Sequence, residues 1–284
     1  MTAQDGRDDP AAAQREDRPT AADYTIDTSR PHPARVYDWL LGGRSNHPAD
    51  EELARRMVAI DPRVVSSVRL NRAFMHRAVR WAVGNGAHQF LDLGTGIPTE
   101  PNLHQIAQRA EPASRVVYAD NDPIVLAHAA TLLRSSPEGV TEYLQADVRE
   151  PGLILSQARE FLDFSQPVAL SLLACLHFVP DEDGAHELVA RYREALAPGS
   201  LLVLSHGTGD FAPEGAERAR DHYGEGGIRL ALRSRAEILR FFAGTELVEP
   251  GLVSDPASWR PELGEPAGTE KVAEHGYVGV ARKL

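Results

Sequence analysis

The residues best suited to chemistry fall in three short runs, each at the end of an apolar stretch. The first is Asp92-Leu-Gly94-Thr95-Gly96-Ile-Pro98-Thr99, directly after QFL. Glycines at the end of a strand let the backbone turn tightly and approach a ligand closely. On this motif alone, a tight turn with no ligand stays open as a reading. A dinucleotide site normally carries G-x-G-x-x-G with a small third residue, and here Thr99 stands there, preceded by Pro98. That departure argues against NAD(P) and for a ligand without a pyrophosphate. The second run, Tyr118-Ala119-Asp120-Asn121-Asp122-Pro123, puts an acid at a strand tip, where ribose hydroxyls are held in nucleoside-binding sheets. Asp120 is the residue expected in that role, while Asp122, just before Pro123, reads as a helix N-cap. The third run, Gln145-Ala146-Asp147-Val148, offers a carboxylate for an adenine amino group and an apolar contact with a backbone N–H. Alone, Asp147 reads as a solvated loop acid. The ordered series of tips is what favours a nucleoside.

Other candidates divide between two readings. His177 and Asp181 follow the next apolar run; His177 is either a general base or a half-buried histidine at a strand end. His206 carries the same ambiguity. The sequence holds 11 histidines, but no H-E-x-x-H and no Cys/His cluster with ligand spacing, so no metal is expected. It has no G-x-S-x-G and no P-loop, which removes the usual hydrolase and NTPase signatures.

Stepping outward, these runs need strands to hold them. QFLDL at Gln89–Leu93, RVVYA at Arg115–Ala119, Val140–Ala146, the apolar run Pro167–Ala174 and LLVLS at Leu201–Ser205 read as strands. Helices are expected between them at Thr99–Arg109, Pro123–Leu133 and Asp181–Leu196, the last with three acids in its first turn. Such alternation predicts a doubly wound, mostly parallel α/β sheet. Leu247–Val253 and Tyr277–Ala281 are candidates for closing strands. Upstream, helices are expected at Ala34–Leu41, from Pro48 through Ile60, and over Pro62–Val83, with Gly42-Gly43 and Gly84-Asn85-Gly86 as stops. The expected organisation is a disordered tail over residues 1–30, a helical cap over 31–86 and a Rossmann-like domain over 87–284.

Bulk properties narrow the setting. A net charge of −11 without a Lys/Arg block argues against a nucleic-acid substrate and favours a small molecule. No stretch approaches the roughly 18 apolar residues of a membrane span, and the N-terminus lacks a secretory signal. The single cysteine, Cys175, suits a reducing compartment, so the cytoplasm is expected.

With DLGTGIPT, VVYADNDP and LQAD in place, the chain resembles an actinobacterial family of S-adenosylmethionine-dependent methyltransferases of unassigned substrate. The upstream RVYDWLLGGRSNHPAD and the downstream ALSLLACLHFVPD belong to the same likeness, which runs from about Arg30 to Lys283. The resemblance implies a seven-stranded class I methyltransferase sheet with an N-terminal helical cap. It also implies a cofactor site of Gly94, Thr95, Gly96, Asp120, Asn121, Asp147 and Val148, with Asp92 near the methionine ammonium. Where the family commonly has lysine followed by an acid or asparagine after Gly-Gly, this chain has Arg44-Ser45. Arg44 is either a bidentate clamp for a cofactor or substrate anion, or a surface charge at a helix end. The alternatives to an enzyme of this kind are a non-catalytic S-adenosylmethionine sensor and an NAD(P)-dependent oxidoreductase. Thr99 and the absence of a Tyr-x-x-x-Lys pair disfavour the oxidoreductase.

Overall fold

A computed structural model of the chain describes residues 27–132, 134–264 and 274–284. Three helices come first: α1 (Pro33–Leu41), α2 (Pro48–Ile60) and α3 (Val64–Gly84). Local chemistry sets their ends. His32 is the N-cap residue of α1, and Gly42 stops the helix in the left-handed region at φ 87°. Asp50 reaches back to accept the His47 N–H at the start of α2.

The strands are β1 (Gln89–Leu93), β2 (Arg115–Asp120), β3 (Val140–Gln145), β4 (Val168–Leu173), β5 (Leu201–Gly207), β6 (Thr245–Leu247) and β7 (Gly276–Lys283). They form a seven-stranded sheet in the order β3-β2-β1-β4-β5-β7-β6, in which β7 pairs antiparallel with β5 and β6 while the other pairings are parallel. This is the doubly wound sheet the sequence predicts. The remaining helices are α4 (Leu103–Ala110), α5 (Pro123–Leu132), α6 (Pro151–Ala158), α7 (Ala185–Glu194), α8 (Pro213–Glu225) and α9 (Arg235–Arg240).

Successive strand residues point to opposite faces, and both faces are covered. Leu91, Val117 and Leu170 pack with Ile154 of α6 and Leu188 and Tyr192 of α7. Phe90, Val116 and Tyr118 pack on the other side with Met75 and Val79 of α3 and Ile106 of α4. On the adjoining face of the same turns of α3, Phe74 and Ala78 meet Val203, Val278, Val280 and Trp259. A separate cluster joins Val36 and Leu40 of α1 to Leu53, Ala54 and Met57 of α2, with Tyr223 of α8 against it. Burying such side chains contributes about 1.5–3 kcal/mol each, so apolar contact holds this layer over the edge of the sheet.

Several boundaries differ from the sequence reading for identifiable reasons. The helix expected from Thr99 begins at Leu103, because Pro101 disfavours helical geometry at Glu100 and Asn102 with Gln105 forms a capping box. The helix expected over Asp181–Leu196 is broken by Gly184 at φ 75°. Asp181–Asp183 form their own short 3-10 turn, so their charges serve ion pairs with Arg233 and Arg229 and not the dipole of α7. Of the first closing segment, β6 ends at Leu247 and Val253 makes an isolated bridge to Val278. The disordered tail expected over residues 1–30 lies outside the described residues as far as residue 26; beyond it, the Asp27 carbonyl accepts from both terminal nitrogens of Arg35 at 3.2 Å.

Candidate functional site

In a sheet of this kind, ligands bind beyond the carboxyl ends of the strands, beside the point where strand order reverses. A cavity of about 580 Å³ lies there, between the strand tips and α1, the first half of α3 and Tyr223 of α8. Asp92, Gly94, Thr95, Gly96, Asp120, Asn121, Asp147 and Val148 all line it, as does His177. Arg44 does not; it is exposed beyond the end of α1.

The turn after β1 is built for close approach. Gly94 and Gly96 have φ of 67° and 68°, conformations that L side chains rarely adopt. A Cβ on Gly94 would stand 2.5 Å from Cys175 Sγ, whereas one on Gly96 would project into open cavity, its nearest neighbour 3.9 Å away. Thr95 Oγ1 donates to the Asp92 carbonyl at 3.0 Å. The Asp92 carboxylate is buried and accepts the Ser171 hydroxyl proton. Burial pushes its pKa up to about 6, against the opposing pull of the Ser171 hydroxyl and the Arg72 guanidinium.

At the tip of β2, Asp120 ties two turns together. Its Oδ2 accepts the Gly96 N–H at 2.8 Å and its Oδ1 accepts the Asp122 N–H at 3.0 Å. Burial raises its pKa while those two N–H groups oppose the shift. Each carboxylate oxygen keeps capacity for a further hydrogen bond. Asp122 has different work. Its Oδ1 accepts the Ile124 N–H at 3.0 Å, the cap expected before Pro123, and its Oδ2 lies 3.1 Å from both Arg35 Nε and His32 Nδ1. Burial pushes its pKa up, but His32, the Ile124 N–H and Arg35 outweigh that and hold it below the ordinary range.

At the tip of β3, Asp147 is paired within its own loop. Arg149 donates its backbone N–H and Nε to Oδ1 at 2.9 Å each and a terminal nitrogen to Oδ2 at 2.6 Å. Asn121 reaches the same carboxylate at 3.3 Å. The Val148 carbonyl accepts the Tyr192 hydroxyl at 2.8 Å, which leaves its side chain packed beside the cavity.

Residues 19–284 match the family model described as S-adenosyl methyltransferase. The chain belongs to that family. A DUF574 family protein from Streptomyces avermitilis is 45% identical, with a TM-score of 0.87 over 92% of this chain and 100% of its own. A candidate methyltransferase from Thermobifida fusca is 39% identical, with a TM-score of 0.82 over 90% of this chain and 96% of its own. A comparison with curated proteins finds no match.

The cofactor of the methyltransferase is S-adenosylmethionine, and the residues present fit it. Gly96 leaves an open cradle, and buried carboxylates stand at the tips of β1 and β2 where a cationic ligand would be welcome. One guanidinium on this cavity carries no mark in the sequence. Arg72, on α3, lines it and donates to the carbonyls of Thr99 and Pro101. Nothing local marks it, since which face of α3 meets the cavity is set by tertiary packing.

Beyond β4 and β5 stand two histidines, His177 half-buried and His206 buried. His177 Nδ1 accepts the Gly207 N–H at 3.3 Å, and burial, with Arg233 adding to it, lowers its pKa to about 4. His206 Nε2 lies 2.8 Å from an Arg233 terminal nitrogen, and a guanidinium only donates, so Nδ1 carries the proton and donates to the Gly207 carbonyl at 2.7 Å. Arg233 also donates to the carbonyls of Leu176 and Val179 and to Asp181, pinning the turn after β4. Among the described residues, no group of three or more His, Cys, Asp or Glu has the arrangement to hold a metal ion.

Proposed function

We propose that the methyltransferase holds S-adenosylmethionine across the tips of β1, β2 and β3 and methylates a small molecule admitted between α1, α3 and α8. The observation that carries this reading is the joining of Asp120 to Gly96, which sets a buried carboxylate beside a glycine turn inside one cavity. Asp120 serves the ribose hydroxyls, Asp147 and Val148 with Asn121 the adenine, and Gly94, Thr95 and Gly96 the close backbone approach. Asp92 offers a carboxylate to the ammonium group, and Arg72, in the role first expected of Arg44, a guanidinium to the carboxylate.

The bound cofactor supplies a methyl carbon already activated by positive sulfur. The protein's own task is to align the acceptor with it, and such positioning supplies roughly 7–11 kcal/mol. His177 presents a neutral ring whose Nδ1 is engaged by Gly207, which suits an orienting contact better than proton uptake. Of the segment expected as a cap over 31–86, α1 and the first half of α3 line the cavity together with Tyr223 of α8, while α2 packs behind α1 and α3 also packs on the sheet. The acidic net charge of −11 supports a small acceptor over a nucleic acid. No described helix is long and apolar enough to cross a membrane, and the lone Cys175 favours a reducing, cytoplasmic setting.

S-adenosylhomocysteine tests the proposal. At a hundredfold excess over its dissociation constant it should stabilise the protein by about 2.7 kcal/mol, read as a rise in melting temperature. NAD at the same concentration should do much less. Equal shifts with both, or none with either, would sink the assignment.

A further inference from the structure

On the side of the cavity away from β3, Ser67, His275 and Asp61 stand in a hydrogen-bonded row. Ser67 Oγ lies 2.8 Å from His275 Nδ1, and His275 Nε2 lies 2.9 Å from Asp61 Oδ2. Ser67 and His275 line the cavity, and Asp61 stands behind them. The three come from distant places: Asp61 caps the end of α2, Ser67 sits in the first turn of α3, and His275 precedes β7. The His275 carbonyl accepts the Thr208 N–H at 2.9 Å. The row therefore lies just past the carboxyl tip of β5, on the same edge of the sheet as the glycine turn.

Its chemistry is that of a proton acceptor. Hydrogen bonds from Arg63, first, and from His275 hold the Asp61 carboxylate far below its usual range, so it is ionised at any working pH. An ionised Asp61 accepts the Nε2 proton, and Nδ1 at 2.8 Å is then the nearer of two acceptors for the Ser67 hydroxyl, the Arg63 carbonyl lying at 3.2 Å. The charged groups facing His275 are Asp61 and Arg63 at the α2–α3 junction; Glu274 on its own segment is turned toward Ser254, 2.9 Å away. Acyl transfer by Ser67 is not what this row suits. The Ser67 N–H is spent on the Arg63 carbonyl at 3.0 Å within the helix and is no oxyanion donor.

The neighbouring wall is aromatic and apolar. Tyr37, Phe178, Tyr223 and Ile228 line the same cavity, with the Phe178 and Tyr223 rings 5.6 Å apart. Resting on the cofactor placement above, we infer that the acceptor is a planar hydroxylated aromatic whose hydroxyl proton passes through Ser67 to His275, with Asp61 positioning the ring and balancing its charge. The acceptor O–H bond breaks as its proton joins Ser67 Oγ, and the Ser67 proton moves to Nδ1, giving an imidazolium paired with Asp61. The electron pair left on the acceptor oxygen forms the new O–CH3 bond as the S–CH3 pair departs to sulfur. The imidazolium then returns its proton to solvent. A phenol ionises near pH 10, so little is phenolate at neutrality, and a base of this kind contributes typically about 10²–10⁴-fold.

The test uses 4-nitrophenol, which absorbs in the visible when ionised, added to the full-length protein saturated with S-adenosylhomocysteine. Binding to the parent protein should lower the apparent pKa of the probe by about one unit, a tenfold change in its ionisation. His275→Gln and Asp61→Asn should abolish that shift, and Ser67→Ala should weaken it, with cofactor-product affinity by calorimetry unchanged. An equal shift in His275→Gln or in Asp61→Asn would overturn the relay. Failure of the probe to enter the loaded protein would overturn the hydroxyaromatic class. Failure of S-adenosylhomocysteine itself to bind would be seen separately in the calorimetry, and removes the cofactor placement and this inference together.

Discussion

The guanidinium of Arg35 donates to the carboxylate of Asp122 over 3.1 Å, joining the first helix of the roof to the turn after β2. Both side chains are almost wholly buried, at 6% and 2% exposure, and Asp50 of α2 approaches the same guanidinium at 3.6 Å. Asp122 is thus a helix cap and a roof anchor at once, two residues from the carboxylate proposed for the ribose.

Removing one partner of a buried ion pair costs about 3–5 kcal/mol, far above the roughly 1 kcal/mol of a lost helix cap. Asp122→Ala is therefore expected to lose stability on the larger scale in urea unfolding. A loss confined to the cap value would mean that Arg35 and His32 contribute nothing through this carboxylate.

Asp120→Ala should weaken S-adenosylhomocysteine binding by about 10- to 100-fold, since charged hydrogen bonds are worth about 1.5–3 kcal/mol. Asp120→Asn keeps an acceptor and should cost less. Asp147→Ala should also cost less than Asp120→Ala, because Arg149 already occupies its carboxylate. Calorimetric titration of the three variants checks the order; an Asp147 loss exceeding that of Asp120 would relocate the main polar contact to the adenine end.

Asp92 makes a pH prediction. Its pKa in the folded protein, about 6, lies above the ordinary 3.8, so between those values the native form holds more protons than the unfolded chain. Its contribution to stability must fall as pH rises through that window and stay at its lower level above it. Asp92→Asn should flatten that part of the profile and raise the stability of the ligand-free protein at pH 7. Binding of an ammonium group favours the ionised form, so the affinity of the parent protein for S-adenosylhomocysteine should drop as pH falls below about 6. An affinity independent of pH from 5 to 7 would separate Asp92 from the ammonium.

For His177 the sign is reversed. Its folded pKa, about 4, lies below the ordinary 6.5, so the unfolded chain holds more protons in between and stability is lost as pH falls through that window. His177→Gln should lessen the loss, measured by melting from pH 7 to 4. It should also leave the pH midpoint of methyl-transfer activity where it is in the parent protein. A midpoint that moves would make His177 the base.

The strands and the three tips that line the cavity are legible in the sequence because their causes are local. An apolar run ending in Gly94 and Gly96, or an acid beside Pro123, needs no knowledge of the rest of the chain. Arg44 draws attention for the same reason, its place after Gly42-Gly43, yet a helix end facing solvent looks identical in sequence to one facing a ligand. Arg72 has no such mark. The Ser67–His275 contact spans 208 positions and exists only because β7 returns antiparallel beside β5. Gly184 illustrates the opposite error: a periodic stretch with acids at its start looks continuous until one left-handed glycine divides it.

The two halves of the cavity differ in how they draw on the chain. The edge proposed for the nucleoside comes from one unbroken stretch, Asp92 to Val148, with only Arg72 brought in from α3 for the carboxylate end, whereas the opposite wall takes Tyr37, Ser67, Phe178, Tyr223 and His275 from five separate segments. Inheritance therefore acts on them unequally. On the acceptor placement proposed above, a substitution at any of those five positions would reshape what can be methylated while the nucleoside cradle keeps its sequence intact. Duplicated copies of such a gene can drift apart in acceptor without passing through a form that has lost its methyl donor, and a lineage holding many of them would share DLGTGIPT and diverge around Ser67 and Tyr223.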